Sequence, residues 1–353
     1  MIQRLFTKCL ISPRDIEPSA PGFEVVSTFN PGAIERADGG LTLLVRVAQR
    51  PVEHRVGWVC SPRFAPGEGL VVDWFEADNV VFQDPRAFEF KETGNVRLTF
   101  ISHLRVFRSG DGRSVEAEDT TFEPAVEEEE YGVEDARITQ LDDTFYFTYV
   151  AVSRHGACTA LASTQDFRTF TRHGVIFPSE NKDVLLFPEK IGGDYAALHR
   201  PYPRYQFSPP EMWLAKSPDL IHWGRHAVLH TGQSPWETGR IGGGVPPVRA
   251  PGGWLEIYHG NTRDPGGGVG QYVAGALMLD GENPAVVLGR TQEPIMAPEA
   301  QFERSGFLSQ VVFPTGLVER DGVYQVFYGA ADTYTGVVEL RRDDVLEAIE
   351  QMK

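Results

Sequence analysis

The sequence predicts an all-β protein, a five-bladed β-propeller with a short C-terminal helix. The first reason is self-similarity at a spacing of about fifty residues, the mark of a repeat architecture. Copies that pass a polar turn into an aromatic or β-branched strand begin near Pro31, Asp84, Asp135, Pro188, Pro246 and Pro314. The second is a hairpin signal on the same beat: Ser109-Gly110-Asp111, Thr164-Gln165-Asp166 and Ser217-Pro218-Asp219, two of them continuing as DFRTF and DLIHW. Two hairpins per period make a four-stranded blade, and blades repeated about an axis make a propeller. The third is composition. The 36 Gly and 25 Pro among 353 residues suit many short strands joined by tight turns.

Along the chain, residues 31–49 form an early copy without an obvious outer hairpin, which either completes a blade with the other end of the chain or begins a sixth, five blades being favoured. The segment at Asp84 (DPRAFEFKETGNVRLTFIS) reads as a further repeat start. The run Glu127–Glu130 reads as a solvated loop. Trp213, Trp223 and Trp254 sit at strand positions within the repeat and are expected to pack in blade cores rather than stack on sugars. Helical periodicity emerges only at the end. There, about 342–352, Val345, Ile349 and Met352 share one face behind the acidic start Asp343-Asp344. Residues 1–353 are therefore expected to be one domain.

Composition narrows function before any motif does. A net charge of −16 repels nucleic acid and anionic membrane surfaces, so neither is expected as a partner. Any anion must be held by a local cluster of Arg, Lys and His. Cys9, Cys60 and Cys158 are odd in number, lack metal-type spacing, and read as free thiols in a reducing compartment. The beginning MIQRLFTKCLISPRD has no apolar core of signal-peptide length, and no run reaches transmembrane length. A cytoplasmic location is expected. No metal site is expected from the His and Cys spacings.

In a propeller the innermost strand of each blade lines a central channel, so the repeat starts converge on one pocket. They carry the chemistry: Asn30, Arg46, Arg50, Glu134-Asp135-Ala136-Arg137, Lys182-Asp183, Glu189-Lys190, His199-Arg200, Tyr258-His259 and Asp332. No phosphate loop of the GxxxxGK type competes with them. Gly242–Gly244 does not follow a strand and open a helix, so it carries little weight for a nucleotide.

The blocks YGVEDARIT, NKDVLLFPEKIGGDYAALHRP, GGGVPPVRAPGGWLEIYHG and VVFPTGLVERDGVYQVFYGAADT resemble the signature blocks of glycoside hydrolase family 130. FNPGAIERADGGLTLLVRV is similar to its N-terminal block and SPDLIHWG to its outer-hairpin motif. The matches run in family order from about residue 28 to 348. Two departures stand out. The segment ahead of Asp135 is longer than in the best-known members, and the acid block reads EDAR rather than EDPR.

The resemblance implies an inverting β-mannoside phosphorylase on a five-bladed propeller, releasing α-mannose 1-phosphate and a shortened sugar. Asp135 would be the general acid, acting through a hydroxyl of the bound mannose. Lys182, Arg200 and His259 occupy positions like the family's phosphate-binding blocks. Arg grips an oxyanion with two parallel hydrogen bonds, whereas Lys supplies a point charge. Asp332 resembles a carboxylate that holds sugar hydroxyls, with Asn30, Arg46 and Arg50 as further substrate-binding candidates. No cofactor is implied, only inorganic phosphate as co-substrate, an oligosaccharide β-mannoside as partner, and an oligomeric state left open. A hydrolase on the same scaffold would need a carboxylate base for water and has no use for the cations. A non-catalytic sugar-binding propeller is the reading from another class.

Overall fold

A computed structural model describes residues 2–202, 206–263 and 269–351. Among them the fold is nearly all antiparallel sheet, arranged as successive four-stranded meanders. The first unit runs Phe23–Glu35, Leu41–Pro51, Ile101–Ser109 and Glu116–Phe122, and the second runs Gly132–Leu141, Thr144–Ser153, Gly156–Thr164 and Thr171–Phe177. They share one eight-stranded sheet only through a single parallel bridge, Gly132 to Ser102. The third unit is Asn181–Leu186, Tyr195–Pro201, Met212–Ser217 and Gly224–His230. The fourth is Arg240–Gly243, Gly253–Arg263, Val269–Leu279 and Val287–Arg290. The last takes Val312–Arg320, Val323–Ala330 and Tyr334–Arg341, and receives the N-terminal strand Arg4–Ile11 on its outer edge. The chain's two ends thus complete one sheet together, but residues 31–49 are not the part that does so. They pair with each other and with Ile101–Ser109 in the first unit, because the outer strands Ile101–Ser109 and Glu116–Phe122 arrive from farther along the chain.

The apolar cores lie between successive sheets, which is where strands buried on both faces must place their side chains. One cluster joins Leu44 and Val106 of the first unit to Phe147 of the second, and another joins Leu161 of the second to Ala197 of the third. Leu198 packs with Leu277, Val245 packs with Val326, and Val45 packs with Phe327, so the last core returns from the fifth unit to the first. Trp254 is fully buried against Phe187, while Trp213 and Trp223 are partly buried, in line with a packing role for all three. Trp254→Ala should therefore cost about 3–5 kcal/mol of stability, read by chemical denaturation. The three cysteines are unpaired.

Three local expectations differ from the structure. The Asp84 segment does not open a four-stranded unit. Val80–Asp84, Ala87–Phe90 and Val96–Leu98 pair only with one another, beside a two-stranded sheet of Trp58–Ala65 and Gly69–Glu76. Phe75, Phe82, Phe88 and Phe90 meet edge-on or tilted at 4.9–5.8 Å and give this insert its own small core. An alternating aromatic run specifies a strand, but not the sheet it joins.

The acidic run before Asp135 is only half solvated. Glu129 and Glu130 are buried, Glu129 accepting hydrogen bonds from Tyr149 and Arg172, and Glu130 from Arg154. The terminal helix is Arg342–Glu347, after which Glu350–Gln351 pairs with Val287–Arg290. Val345 and Ile349 pack into the same core as expected, and Met352 lies outside the described residues.

Candidate functional site

The first strands of three units each carry an irregularity at a residue that lines one cavity. Register shifts fall between Phe29 and Gly32, Glu134 and Arg137, and Lys182 and Leu185. Within them Asn30, Asp135 and Asp183 adopt left-handed backbone conformations, with φ of 49°, 50° and 54°. Asn and Asp tolerate that region better than other non-glycine residues. A bulge of this kind turns a side chain out of the pleat and aims it elsewhere. Here all three reach one cavity of about 380 Å³, which Asp332 also lines from the turn before Tyr334–Arg341 (φ 47°). Gly329 makes room for this arrangement, because a Cβ there would run into the Asn30 carboxamide.

Asp135 lies in a mesh of donors. Asn30 Nδ2 donates to its Oδ1 at 2.8 Å, and Arg46 Nη1 donates to the same oxygen at 3.0 Å. Arg46 is itself fixed, donating to Glu134 at 2.6 Å and to Ser102 at 3.1 Å, with its guanidinium 4.4 Å from the Phe29 ring centre. Burial alone would raise the Asp135 carboxyl. Arg46 first, then Arg137, the Asn30 hydrogen bond and Lys182 outweigh it and hold the group below its ordinary value.

Asp332 goes the other way. Burial pushes it up to about 6, aided by Asp135 and Glu134 and opposed by Arg86 and Arg46. Two carboxyls of one pocket are therefore held in different protonation ranges.

A second cluster lies beside them. Arg200 Nε donates to Asp183 Oδ2 at 2.7 Å, and Arg137 donates to the Asp135 and Gly244 carbonyls, each at 2.7 Å. Both guanidinium groups are buried, and Arg137 Nη2 and Arg200 Nη1 are buried nitrogens without a hydrogen-bond partner among the described residues. Arg137 Nη2 faces Asp183 Oδ1 at 3.9 Å behind the cavity wall, whereas Arg200 lines the cavity, so a group entering there would find its partner in Arg200. Burial opposes ionisation of Asp183, but Arg200 foremost holds its carboxyl far below the usual range. Asp183→Asn would leave Arg200 and Arg137 uncompensated and should cost about 3–5 kcal/mol at neutral pH. The folded value of Asp183 is depressed, so this contribution is present above about pH 4 and fades as pH falls.

Of the eight site residues expected from sequence, Asn30, Arg46, Asp135, Lys182, Arg200 and Asp332 line the one cavity. His259 does not. It is fully buried behind Asp183, with Nε2 3.5 Å from Oδ2, between the Tyr272 and Phe313 rings. Burial lowers it to about 3, so its imidazole is neutral and not the cation expected. Arg50 also lies elsewhere, paired with Glu24 at 2.8 Å on a half-exposed edge. Lys182 faces Glu134 at 3.8 Å and stays partly exposed to the cavity.

Sequence reasoning assigned no role to Arg86, Arg240, Tyr272, Phe100 or Phe307, all of which line the cavity. The signal for Arg240 was its place just ahead of the block that opens at Gly242, whose glycines carried little weight for a nucleotide. Gly242 instead makes space, since a Cβ there would stand 2.4 Å from Asp183 Oδ2 and 2.8 Å from Arg200 Nε. Among the described residues no helix is long and apolar enough to cross a membrane.

With this geometry in view, the likenesses to known proteins are informative. The chain is 39% identical over 348 residues to a beta-1,2-mannobiose phosphorylase of Listeria innocua, covering 97% of this chain and 96% of that one. It is 35% identical to a 1,2-beta-oligomannan phosphorylase of Thermoanaerobacter sp., over 70% of this chain and 81% of that protein. A solved structure of the Listeria innocua beta-1,2-mannobiose phosphorylase in complex with beta-1,2-mannobiose superimposes with a TM-score of 0.90 at 38% identity, covering 96% of each chain. Residues 85–351 match the family described as beta-1,4-mannooligosaccharide phosphorylase. By sequence and by fold alike, the chain belongs to glycoside hydrolase family 130.

Proposed function

We propose that the chain is an inverting β-mannoside phosphorylase, with β-1,2-mannobiose as the best-supported substrate. It would act in the cytoplasm as a single five-bladed propeller over residues 1–353. The five meanders and the cores that run from each to the next, the last returning to the first, support the propeller. The observation that carries the activity is the Arg200 guanidinium on the cavity wall, with Nη1 lacking a hydrogen-bond partner among the described residues, beside the partly exposed Lys182 and the carboxyl of Asp135. Such an arrangement suits a tetrahedral oxyanion next to an acid.

In this reading phosphate attacks the anomeric carbon from the face opposite the leaving oxygen. That bond breaks with its electron pair on the leaving sugar, and the proton supplied by Asp135 completes the new hydroxyl. A β-linkage becomes an α-phosphate without a covalent enzyme intermediate. Asp135 is ionised in the free protein, because the cations around it outweigh its burial. An arriving phosphate offsets Arg137 and Lys182, and so drives Asp135 toward the protonated form that an acid requires. His259, being neutral and buried, would orient Asp183 and Arg200 rather than touch phosphate.

The hydrolase reading needs a carboxylate base for water and has no use for Lys182 and Arg200, which line the cavity beside Asp135. The reverse reaction tests the proposal. Given α-mannose 1-phosphate and mannose, the protein should release phosphate and build a β-1,2-linked disaccharide, assigned by NMR. No phosphate release with any sugar acceptor would sink it.

A further inference from the structure

The insert between Pro51 and Ile101 sends one turn into the pocket, and the roles given to the site so far leave that turn unexplained. Asp84, Arg86, Ala87 and Leu98 line the cavity. The Arg86 backbone N–H donates to Asp84 Oδ1 at 2.8 Å, and its side chain grips the same carboxylate through Nη2 at 2.8 Å and Nε at 3.2 Å. That grip orients the guanidinium. The third nitrogen, Nη1, stands 3.6 Å from Asp332 Oδ2. The gap is too long for a direct hydrogen bond, and a single oxygen placed beside it can touch both groups. A sugar hydroxyl fits the chemistry, because it can accept from Arg86 and donate to Asp332 in one position.

We infer that Arg86 is a substrate-binding residue of this enzyme: an insert-borne arm, set by Asp84, that holds a mannoside hydroxyl together with Asp332. The inference rests on the β-mannoside reading above, and it makes sugar recognition depend on a segment outside the five meanders. Residues 58–84, which carry Asp84 and support the turn, precede the stretch matched by the family. Arg86 makes no contact with Arg200 or Lys182, the cations assigned to phosphate, among the interactions of the described residues.

Two consequences separate this role from a structural one. The first is a split between substrates. Arg86→Ala should raise KM for β-1,2-mannobiose about tenfold or more, as loss of a charge-assisted hydrogen bond does, and leave KM for phosphate within about twofold. The second is a pH profile. The hydroxyl donates to an ionised Asp332, so mannoside affinity should fall as pH drops through about 6. Asp332 is faced by Arg86 from the insert, Arg46 from Leu41–Pro51, Asp135 and Glu134 from Gly132–Leu141, and Tyr272 from Val269–Leu279. Removing the Arg86 cation leaves the two carboxylates less opposed, so the midpoint should move to higher pH.

Steady-state kinetics of Arg86→Ala, Arg86→Lys and Asp84→Asn against both substrates, from pH 5 to 8, test the inference. Arg86→Lys keeps the charge but not the planar fork, and covers the case in which the alanine variant does not fold. It should raise the mannoside KM several-fold and shift the pH midpoint less than the alanine variant. Asp84→Asn should lie between wild type and Arg86→Ala. Unchanged mannoside KM in the folded variants, or equal losses for mannoside and phosphate, would overturn it. Should the wild type fail to turn over, the phosphorylase reading falls instead. Calorimetric binding of β-1,2-mannobiose to wild type and the Arg86 variants then decides this inference by itself, a weakened variant supporting it and equal affinity rejecting it.

Discussion

Asp135→Asn is expected to lower turnover by on the order of 10²–10⁴, with the fold and mannoside affinity nearly intact. The substitution keeps the shape and one acceptor oxygen for Asn30 and Arg46, which both donate to a single Asp135 oxygen. What it removes is the group that can carry the proton to the leaving oxygen. A cationic surplus is left behind, since Arg46 keeps Glu134 but loses its second carboxylate. A modest loss of stability at neutral pH should accompany the kinetic effect. Initial rates of mannobiose phosphorolysis, beside a thermal melt, separate the two. A variant retaining more than about a tenth of wild-type activity would remove Asp135 from the role of acid.

The second large effect falls on phosphate. Arg200→Ala should raise the phosphate KM by about ten- to a hundredfold, the loss expected for a charge-assisted hydrogen bond, and change the mannoside KM little. Because Arg200 also neutralises Asp183, the alanine variant will be less stable. Arg200→Lys provides the necessary contrast. It preserves a charge for Asp183 but lacks the fork that leaves Nη1 free, so its phosphate KM should still rise. His259→Ala should act more weakly and through stability, because the imidazole is neutral and buried behind Asp183. Equal losses for phosphate and sugar in Arg200→Lys would place this arginine in the scaffold instead.

The sequence disclosed what repeats and what is local. The spacing of the copies at Asp135, Pro246 and Pro314 reflects the meander beat, and the β-branched and aromatic runs mark strands whose faces are buried between sheets. The convergence of Asn30 and Asp135 follows from repeat position together with backbone bulges at residues that tolerate a positive φ, and Asp332 joins them from a turn with the same backbone conformation. What stayed hidden depends on three-dimensional partnership. The DPRAFEF run has full strand character, yet its aromatics pack on one another and it never enters a meander. Glu129 and Glu130 look like a solvated charge run until Tyr149, Arg172 and Arg154, distant in sequence, meet them. His259 carries the residue type of an anion ligand, but burial decides that it is neutral. Arg50, four residues along the same strand from Arg46, projects to a solvent edge and pairs with Glu24.

The most direct test of the central claim follows the anomeric signals during incubation with β-1,2-mannobiose, with and without millimolar phosphate. The account predicts α-mannose 1-phosphate and mannose in equal amounts when phosphate is present, and almost no reaction without it. Brisk release of two mannose molecules in phosphate-free buffer would contradict the account and establish a hydrolase.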